Sequence, residues 1–257
     1  MNLELNGARA LVFGAAKGIG RAIARAFSAE GSQVVGFDAA TDPEPIAAPG
    51  DIITGDVTDL NAVQAVAAPF ESIDHVVYCV GVGSGKSGFP FWNLEPRDWD
   101  RVLDVNLIGA VNIAHACAPK LIANRSGSLL FLVSVAGQIG SQTDPPYSAA
   151  KAGLINFMQC AAKDLAPYNI RVNALSPGMV KTDLNRSVWA ATQEKLPEDQ
   201  RISYEEWGRA KTRKVAPLGR WQEPEELAAM ATYLASRHAA NITGQTINID
   251  GGQVMHS

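Results

Sequence analysis

Tyr147 and Lys151 stand four residues apart in Pro146-Tyr-Ser-Ala-Ala-Lys151. The apolar residues that follow, Leu154, Ile155, Phe157, Met158 and Leu165, recur at helical spacing, which predicts both side chains on one helix face. A phenol normally titrates near ~10, too high for acid/base work at neutral pH, but an ammonium one turn away favours the phenolate and lowers that value. Tyr147 is thereby a candidate proton shuttle. An isolated Tyr-x-x-x-Lys is also what a surface tyrosine beside a solvated lysine looks like, so the pair takes its meaning from the elements around it.

Near the start of the chain, Ala8 to Phe13 reads as a short apolar strand, and Gly14-Ala-Ala-Lys-Gly18-Ile-Gly20 follows directly. Ile19, Ile23, Ala26 and Phe27 then mark one face of a helix that Gly31 ends, and a second strand runs from Gln33 to Phe37. Strand, glycine turn, helix and strand in this order suit a pyrophosphate, since glycines let backbone N–H groups approach it and the helix start is positive. Asp38 closes the second strand eighteen positions after Gly20, where a carboxylate accepts hydrogen bonds from ribose hydroxyls and repels a 2′-phosphate. Lys17 in the glycine loop argues for that phosphate, but a loop lysine swings into solvent at little cost. The selection of NAD follows from Asp38.

Further apolar strands, Ile73 to Cys79 and Leu129 to Val133, are each followed by an amphipathic stretch. That alternation predicts an α/β fold with a parallel sheet covered by helices on both faces. Ser134 ends the second of these strands at the carboxyl edge of the sheet, where ligands of such folds bind. Asn106 lies inside the helical pattern Trp99, Val102, Leu103, Leu107, a position that helix propensity does not favour. The Pro-rich segment Thr41 to Gly50 reads as a loop.

Together these residues resemble the classical branch of the short-chain dehydrogenase/reductase superfamily, essentially from end to end. Its glycine motif matches Gly14, Gly18 and Gly20, and its adenine-contacting Asp-Val matches Asp56-Val57. Its active-site residues match Asn106, Ser134, Tyr147 and Lys151. Arg171-Val-Asn-Ala-Leu-Ser-Pro-Gly178 looks like the strand and Pro-Gly turn beside the nicotinamide, and Ile242-Thr-Gly244 with Asp250-Gly-Gly252 like the closing strand. The resemblance implies a Rossmann-like doubly wound parallel sheet of about seven strands in a single domain, residues 1–257. It implies cofactor contacts from Lys17 and Ile19 in the glycine loop, and from Gly81, Pro177, Gly178, Val180 and Thr182 nearer the nicotinamide. It also implies that the helix deforms at Asn106, whose carbonyl links Tyr147 and Lys151 to solvent through water. Two places depart from the family pattern. Phe13 stands where a Thr is usual, and Tyr78-Cys79-Val80-Gly81 where Asn-Asn-Ala-Gly is usual, so hydrogen bonds that an Asn would make between central strands are lost.

The implied reaction is NAD(H)-dependent interconversion of a secondary alcohol and a ketone. Tyr147 transfers the proton, Ser134 orients the oxygen, and Lys151 serves both Tyr147 and the cofactor ribose. The segment Leu184 to Pro217 is expected to cover the substrate. Trp189, Tyr204 and Trp207 offer it an apolar wall, and Arg186, Arg209, Lys211, Arg213 and Lys214 offer contacts to an anion, while amphipathic helices explain both sets equally well. A sugar, sugar acid or hydroxy acid is the implied substrate class. A non-catalytic NAD-binding redox sensor is the alternative, motivated by the altered Tyr78 to Gly81 segment; such a sensor has no need of Ser134, Tyr147 and Lys151 together.

Composition agrees. A chain of 257 residues, 47% hydrophobic, can bury one large core, and no linker divides it. Met1-Asn-Leu-Glu4 lacks a basic start followed by an apolar run, and no uncharged apolar stretch reaches ~18 residues, so a cytoplasmic protein is expected. Cys79, Cys117 and Cys160 lie in apolar patterns and read as reduced core thiols, and His115 as a helix-core residue. His75, His115, His238 and His256 are scattered, which leaves no metal site at ligand spacing. A net charge of −4 with pI near 5.6 gives no nucleic-acid surface. The helix from Pro96 to Asn124 and the helix after Tyr147 carry more apolar positions than one core face needs, which predicts a homotetramer, or failing that a dimer.

Overall fold

In the computed structural model, residues 1–40, 45–47, 51–86, 90–140, 144–194 and 196–255 are described. The Thr41 to Gly50 loop therefore falls largely outside them. Strand β1 (Arg9–Phe13) leads through the glycine turn into α1 (Gly18–Ala29) and β2 (Gln33–Asp38). Then come β3 (Ile52–Thr54), α2 (Leu60–Ala67), β4 (His75–Tyr78) and α3 (Arg97–Leu103). A π-helical segment, Asp104–Ile108, joins α3 to α4 (Gly109–Asn124), which β5 (Gly127–Leu132), α5 (Pro145–Leu165) and β6 (Ile170–Pro177) follow. Helices α6 (Asp183–Gln193), α7 (Tyr204–Val215) and α8 (Pro224–Ala235) precede β7 (Thr246–Ile249).

These strands form one seven-stranded sheet in the order β3-β2-β1-β4-β5-β6-β7, parallel at every pairing. Strand β1 pairs with β2 on one side and β4 on the other. The winding thus reverses between β1 and β4, and the crevice for a ligand opens beyond their carboxyl ends. Alternate residues of each strand serve opposite faces. Leu11, Phe13, Val76, Tyr78, Leu129 and Phe131 pack with Val63, Ile113 and Leu154 of α2, α4 and α5. Ala10, Val12, Val77, Leu130 and Leu175 pack with Ile23 and Phe27 of α1 and Leu227 and Leu234 of α8. Both faces being covered is why the strands read as unbroken apolar runs.

The Tyr78 departure has a structural answer. Its phenol is fully buried and donates a hydrogen bond to the Val105 carbonyl in the π segment. Burial drives the phenol's titration far above its ordinary value, so it stays a donor. One tie between strands is replaced by a tie from β4 to the helix packed on it. The helix over Pro96–Asn124 is present but in three pieces, with the π turn at the residue the family resemblance marks for deformation. Arg97–Asn124 is long and apolar enough by composition to cross a membrane, yet 44% of its most apolar stretch is buried inside this fold. Two expectations fail. His115 is exposed on α4, and Cys160 is exposed on α5 whereas Cys117 is buried and Cys79 half-buried. Their helical period places them beside core positions, but a rotation of one residue separates core from surface.

Candidate active site

The glycine turn needs its glycines. Gly14 and Gly18 adopt φ of +87° and +56°. A Cβ on Gly14 would stand 2.9 Å from the Cys79 carbonyl carbon, and one on Gly20 only 2.0 Å from the Gly14 oxygen, so strand and helix touch backbone to backbone. Helix α1 starts with exposed Lys17 at its N-cap and no side chain capping its first turn. Those N–H groups remain available to an anion, which the helix dipole also favours.

Asp38 ends β2 at this turn, one oxygen accepting from Ala16 N at 2.9 Å and the other from Ala40 N at 3.1 Å. The backbone fixes the carboxylate beside the glycine loop while lone pairs remain for ribose hydroxyls. Asp56 is exposed beyond β3, one oxygen accepting from Thr58 N and Oγ1, both at 2.9 Å. Val57 is buried beneath it. The carboxyl ends of these strands thus present uncapped helix N–H groups and two carboxylates.

Beyond the glycine turn lies a cavity of about 440 Å³. It brings together Lys17, Gly18, Ile19, Gly20, Gly81, Ser134, Tyr147, Lys151, Pro177, Gly178, Val180 and Thr182. Gly14, Asp38, Asp56 and Val57 lie outside it. Thr182 caps α6, and its methyl would be 3.6 Å from a Cβ on Gly18, so the loop after β6 meets the glycine turn. Gly178 is held close: a Cβ there would approach Gln222 Oε1 at 2.9 Å and Asp250 Cα at 3.0 Å.

Ser134 follows β5 and Tyr147 lies in the first turn of α5. Their hydroxyls are hydrogen-bonded, and Ser134 Oγ also accepts from Ala136 N at 3.2 Å. Lys151, 1% exposed, donates to Leu132 O at 2.9 Å and Val80 O at 3.4 Å. Its ammonium stands 5.5 Å from the Tyr147 ring centroid. The electrostatics correct the sequence-based expectation. Burial pushes Tyr147 up to about 12, with the Ser134 hydrogen bond pulling it back and the Asp144 charge adding to the rise. Burial also brings Lys151 down to about 8. Lys151 is held by carbonyls rather than by the phenol, and desolvation of the phenol outweighs it.

Asn106 is fully buried in the π segment, behind the cavity wall. Its amide donates to Val82 O at 2.7 Å and Val102 O at 2.8 Å, and its oxygen accepts from Val82 N at 3.3 Å. It braces the loop after β4 next to Gly81, where a Cβ would meet Asn106 Oδ1 at 3.3 Å and Lys151 Nζ at 3.5 Å. Side-chain bonds to backbone of this kind compete with regular helix and account for an Asn where propensity disfavours one.

Helices α6 and α7 cover the cavity, which Leu184, Asn185, Val188, Lys211 and Val215 line from this segment. The expected aromatic wall faces elsewhere. Trp189, Tyr204 and Trp207 pack with Trp221 and Met179 into a small core of the lid itself, with Tyr204 and Trp221 centroids 5.2 Å apart. Gly208 admits this packing, since a Cβ there would overlap the Trp221 ring at 1.6 Å. Of the five cations singled out in the segment, Lys211 alone lines the cavity. Arg209, Arg213 and Lys214 are exposed, and Arg186 stacks on Tyr204 at 4.5 Å. Sequence reasoning missed three polar residues of the wall, Asp144, Asp183 and Gln253. Asp144 carries a helix-start signal in Asp-Pro-Pro; Gln253 carries none.

A sequence-family profile described as enoyl-(acyl carrier protein) reductase matches residues 14–254. A 3-oxoacyl-[acyl-carrier-protein] reductase of Thermotoga maritima is 35% identical over 265 residues, covering 98% of this chain and 100% of that protein. An NAD-dependent glycerol dehydrogenase of Listeria innocua is 32% identical over 252 residues, covering 95% and 92%. Among solved structures, ligand-free aldohexose dehydrogenase of Thermoplasma acidophilum superposes with a TM-score of 0.88 at 30% identity, covering 99% of this chain and 97% of that one. L-sorbose reductase of Gluconobacter frateurii, complexed with NADPH and L-sorbose, gives 0.89 at 26% identity, covering 100% of both.

Proposed function

The chain belongs to the classical short-chain dehydrogenase/reductase superfamily, and from that membership we propose that it interconverts a secondary alcohol and a ketone with NAD(H), Tyr147 moving the proton. It is an oxidoreductase of a superfamily that uses a nicotinamide cofactor. The observation that carries the finer reading is the convergence of Ser134, Tyr147 and Lys151 in one cavity that opens onto the glycine turn.

The bound nicotinamide supplies the hydride chemistry. The protein supplies placement and proton transfer. The first-turn N–H groups of α1 and the glycines hold the pyrophosphate. Asp38 accepts from the adenosine ribose hydroxyls, with Asp56 and Val57 at the adenine. Lys151 and Thr182 secure the nicotinamide half, and Ile19, Gly81, Pro177, Gly178 and Val180 shape its slot. Ser134 donates to the substrate oxygen, Tyr147 takes or returns its proton, and the backbone at Asn106 leads that proton toward water. Residues 184–217 close over a sugar, sugar acid or hydroxy acid. Burial helps here, since acid and acceptor act in a site from which water is largely removed.

The protein works in the cytoplasm as a homotetramer of two-fold symmetry. Its helical faces leave apolar side chains uncovered, such as Ile108, 47% exposed. Sedimentation at micromolar concentration is expected to give a tetramer or dimer; a monomer refutes the assembly.

Cofactor choice rests on Asp38. A phosphate brought against a carboxylate that two backbone N–H groups hold in place is repelled, so NAD(H) is expected to bind more tightly than NADP(H). Asp38→Ala is expected to narrow the gap. Calorimetric titration of both cofactors decides it, and equal or tighter binding of NADP(H) to the unmodified protein would assign selection to Lys17.

A further inference from the structure

Three polar side chains of the cavity wall have capacity that the fold leaves unused. Lys211, half-buried on α7, has its ammonium 4.7 Å above the Trp207 ring, and among the described residues it has no ion pair or hydrogen bond. Burial alone lowers its titration, with no carboxylate offsetting the effect. Lys181 on the same lid is different, pairing with Glu205 at 2.7 Å. Gln253 lines the cavity with its amide unengaged among the described residues. Its backbone is secured by Asp250, which accepts from Gly252 N and Val254 N, both at 2.8 Å. Asp144 accepts from Ser84 N at 2.8 Å through one oxygen, whereas its other oxygen is buried with no partner among the described residues.

A partly desolvated ammonium without a counter-ion, in the wall of a cavity, is stabilised when an anion enters. A buried carboxylate beside the cavity does the opposite: its charge repels an anion. Asp144, the N-cap residue of α5, precedes Tyr147 by three positions and its charge acts on the Tyr147 phenol, so the repelling pole lies at the reacting end. Lys211 is on the lid.

We propose that the substrate is a small anionic alcohol, a hydroxy carboxylate or a phosphate monoester, whose charged head is bound by Lys211 with the Gln253 amide while its hydroxylated part faces Asp144. The assignment rests on the alcohol/ketone reading above and names its substrate class. Lys211 and Asp144 set specificity and binding direction, and take no part in proton transfer.

Matched substrates test it: gluconate against sorbitol, 3-hydroxybutyrate against its amide, and glycerol 3-phosphate against glycerol, each assayed by NADH absorbance. The anionic member is expected to have the higher kcat/KM by roughly 10- to 100-fold, the range of a charge-assisted hydrogen bond, and mainly through KM. The pairs separate carboxylate from phosphate heads. Lys211→Met is expected to erase the preference by raising KM for the anion, and Lys211→Arg to restore most of it. Calorimetry of gluconate and glycerol 3-phosphate against the unmodified protein, with and without NADH, reads the same site without turnover. Equal use of both members, a preference that survives Lys211→Met, or anions that neither bind nor react better than their neutral counterparts would overturn the proposal. Neutral alcohols oxidised through Tyr147 without anion preference refute this inference alone. Anions that bind through Lys211 but are never oxidised refute the reaction and leave the anion site standing.

Discussion

Tyr147→Phe is expected to lower turnover by roughly 10²-fold or more, the range for removing a positioned acid/base, while folding and cofactor binding persist. The substitution keeps the ring in its place on α5 and deletes the oxygen that is hydrogen-bonded to Ser134. Steady-state kinetics with a good substrate, beside calorimetry of NAD(H), separates the two effects. Full turnover in the variant would remove Tyr147 from the mechanism. The pH dependence carries a sign of its own. A buried phenol pushed up to about 12 is protonated at neutrality, so alcohol oxidation, which needs it as an acceptor, is expected to speed up as pH rises. Ketone reduction, which needs the donor, is expected to be the better reaction at lower pH.

Lys151→Met is expected to cost activity on a similar scale, roughly 10²-fold, together with weaker cofactor binding. Its effect on stability is opposite in kind. Burial lowers Lys151 from an ordinary 10.5 to about 8, which corresponds to a cost on the order of 3 kcal/mol wherever both states are protonated. That cost is present in full below about 8. Between there and 10.5 the unfolded chain binds a proton that the folded chain has released, so stability rises with pH. The unmodified protein is therefore expected to gain about 2 kcal/mol on the methionine variant between pH 7.5 and pH 10. Urea unfolding of both proteins at the two pH values measures the difference. A gap that stays constant or moves the other way would show that Lys151 is not charged at a cost in the fold. The loss of hydrogen bonds to Leu132 O and Val80 O is common to both pH values and cancels from the comparison.

Much of this site was legible because its signals are local. The four-residue spacing of Tyr147 and Lys151, the positive-φ glycines and the carboxylate closing β2 are each set within one turn or one strand end. The doubly wound sheet follows from alternating apolar runs in the same way. What escaped depends on sums over three dimensions. Whether Lys151 lowers Tyr147 is decided by desolvation against carbonyl hydrogen bonds, and spacing carries neither. His115 and Cys160 sit at the margins of apolar stripes, where a small rotation of the helix settles exposure. Trp189, Tyr204 and Trp207 were visible as a lid, but their choice of Trp221 over the cavity depends on how α6 and α7 roll against the strand ends. Gln253 reaches the cavity only because Asp250 turns the chain beyond β7.

The aromatic core of the lid gives the molecule a seam. Because Trp189, Tyr204, Trp207 and Trp221 hold the lid together from behind, its cohesion does not depend on every side chain that faces the cavity. Val215 and Lys211 also touch the aromatic core, whereas Leu184 and Val188 are released from duty as packing residues. Evolution, or a protein engineer, can change them to admit a different alcohol while the sheet, the glycine turn and the proton-transfer residues keep their places. The pair Gly208 and Trp221 marks the boundary of that freedom, since no side chain larger than hydrogen fits against the indole.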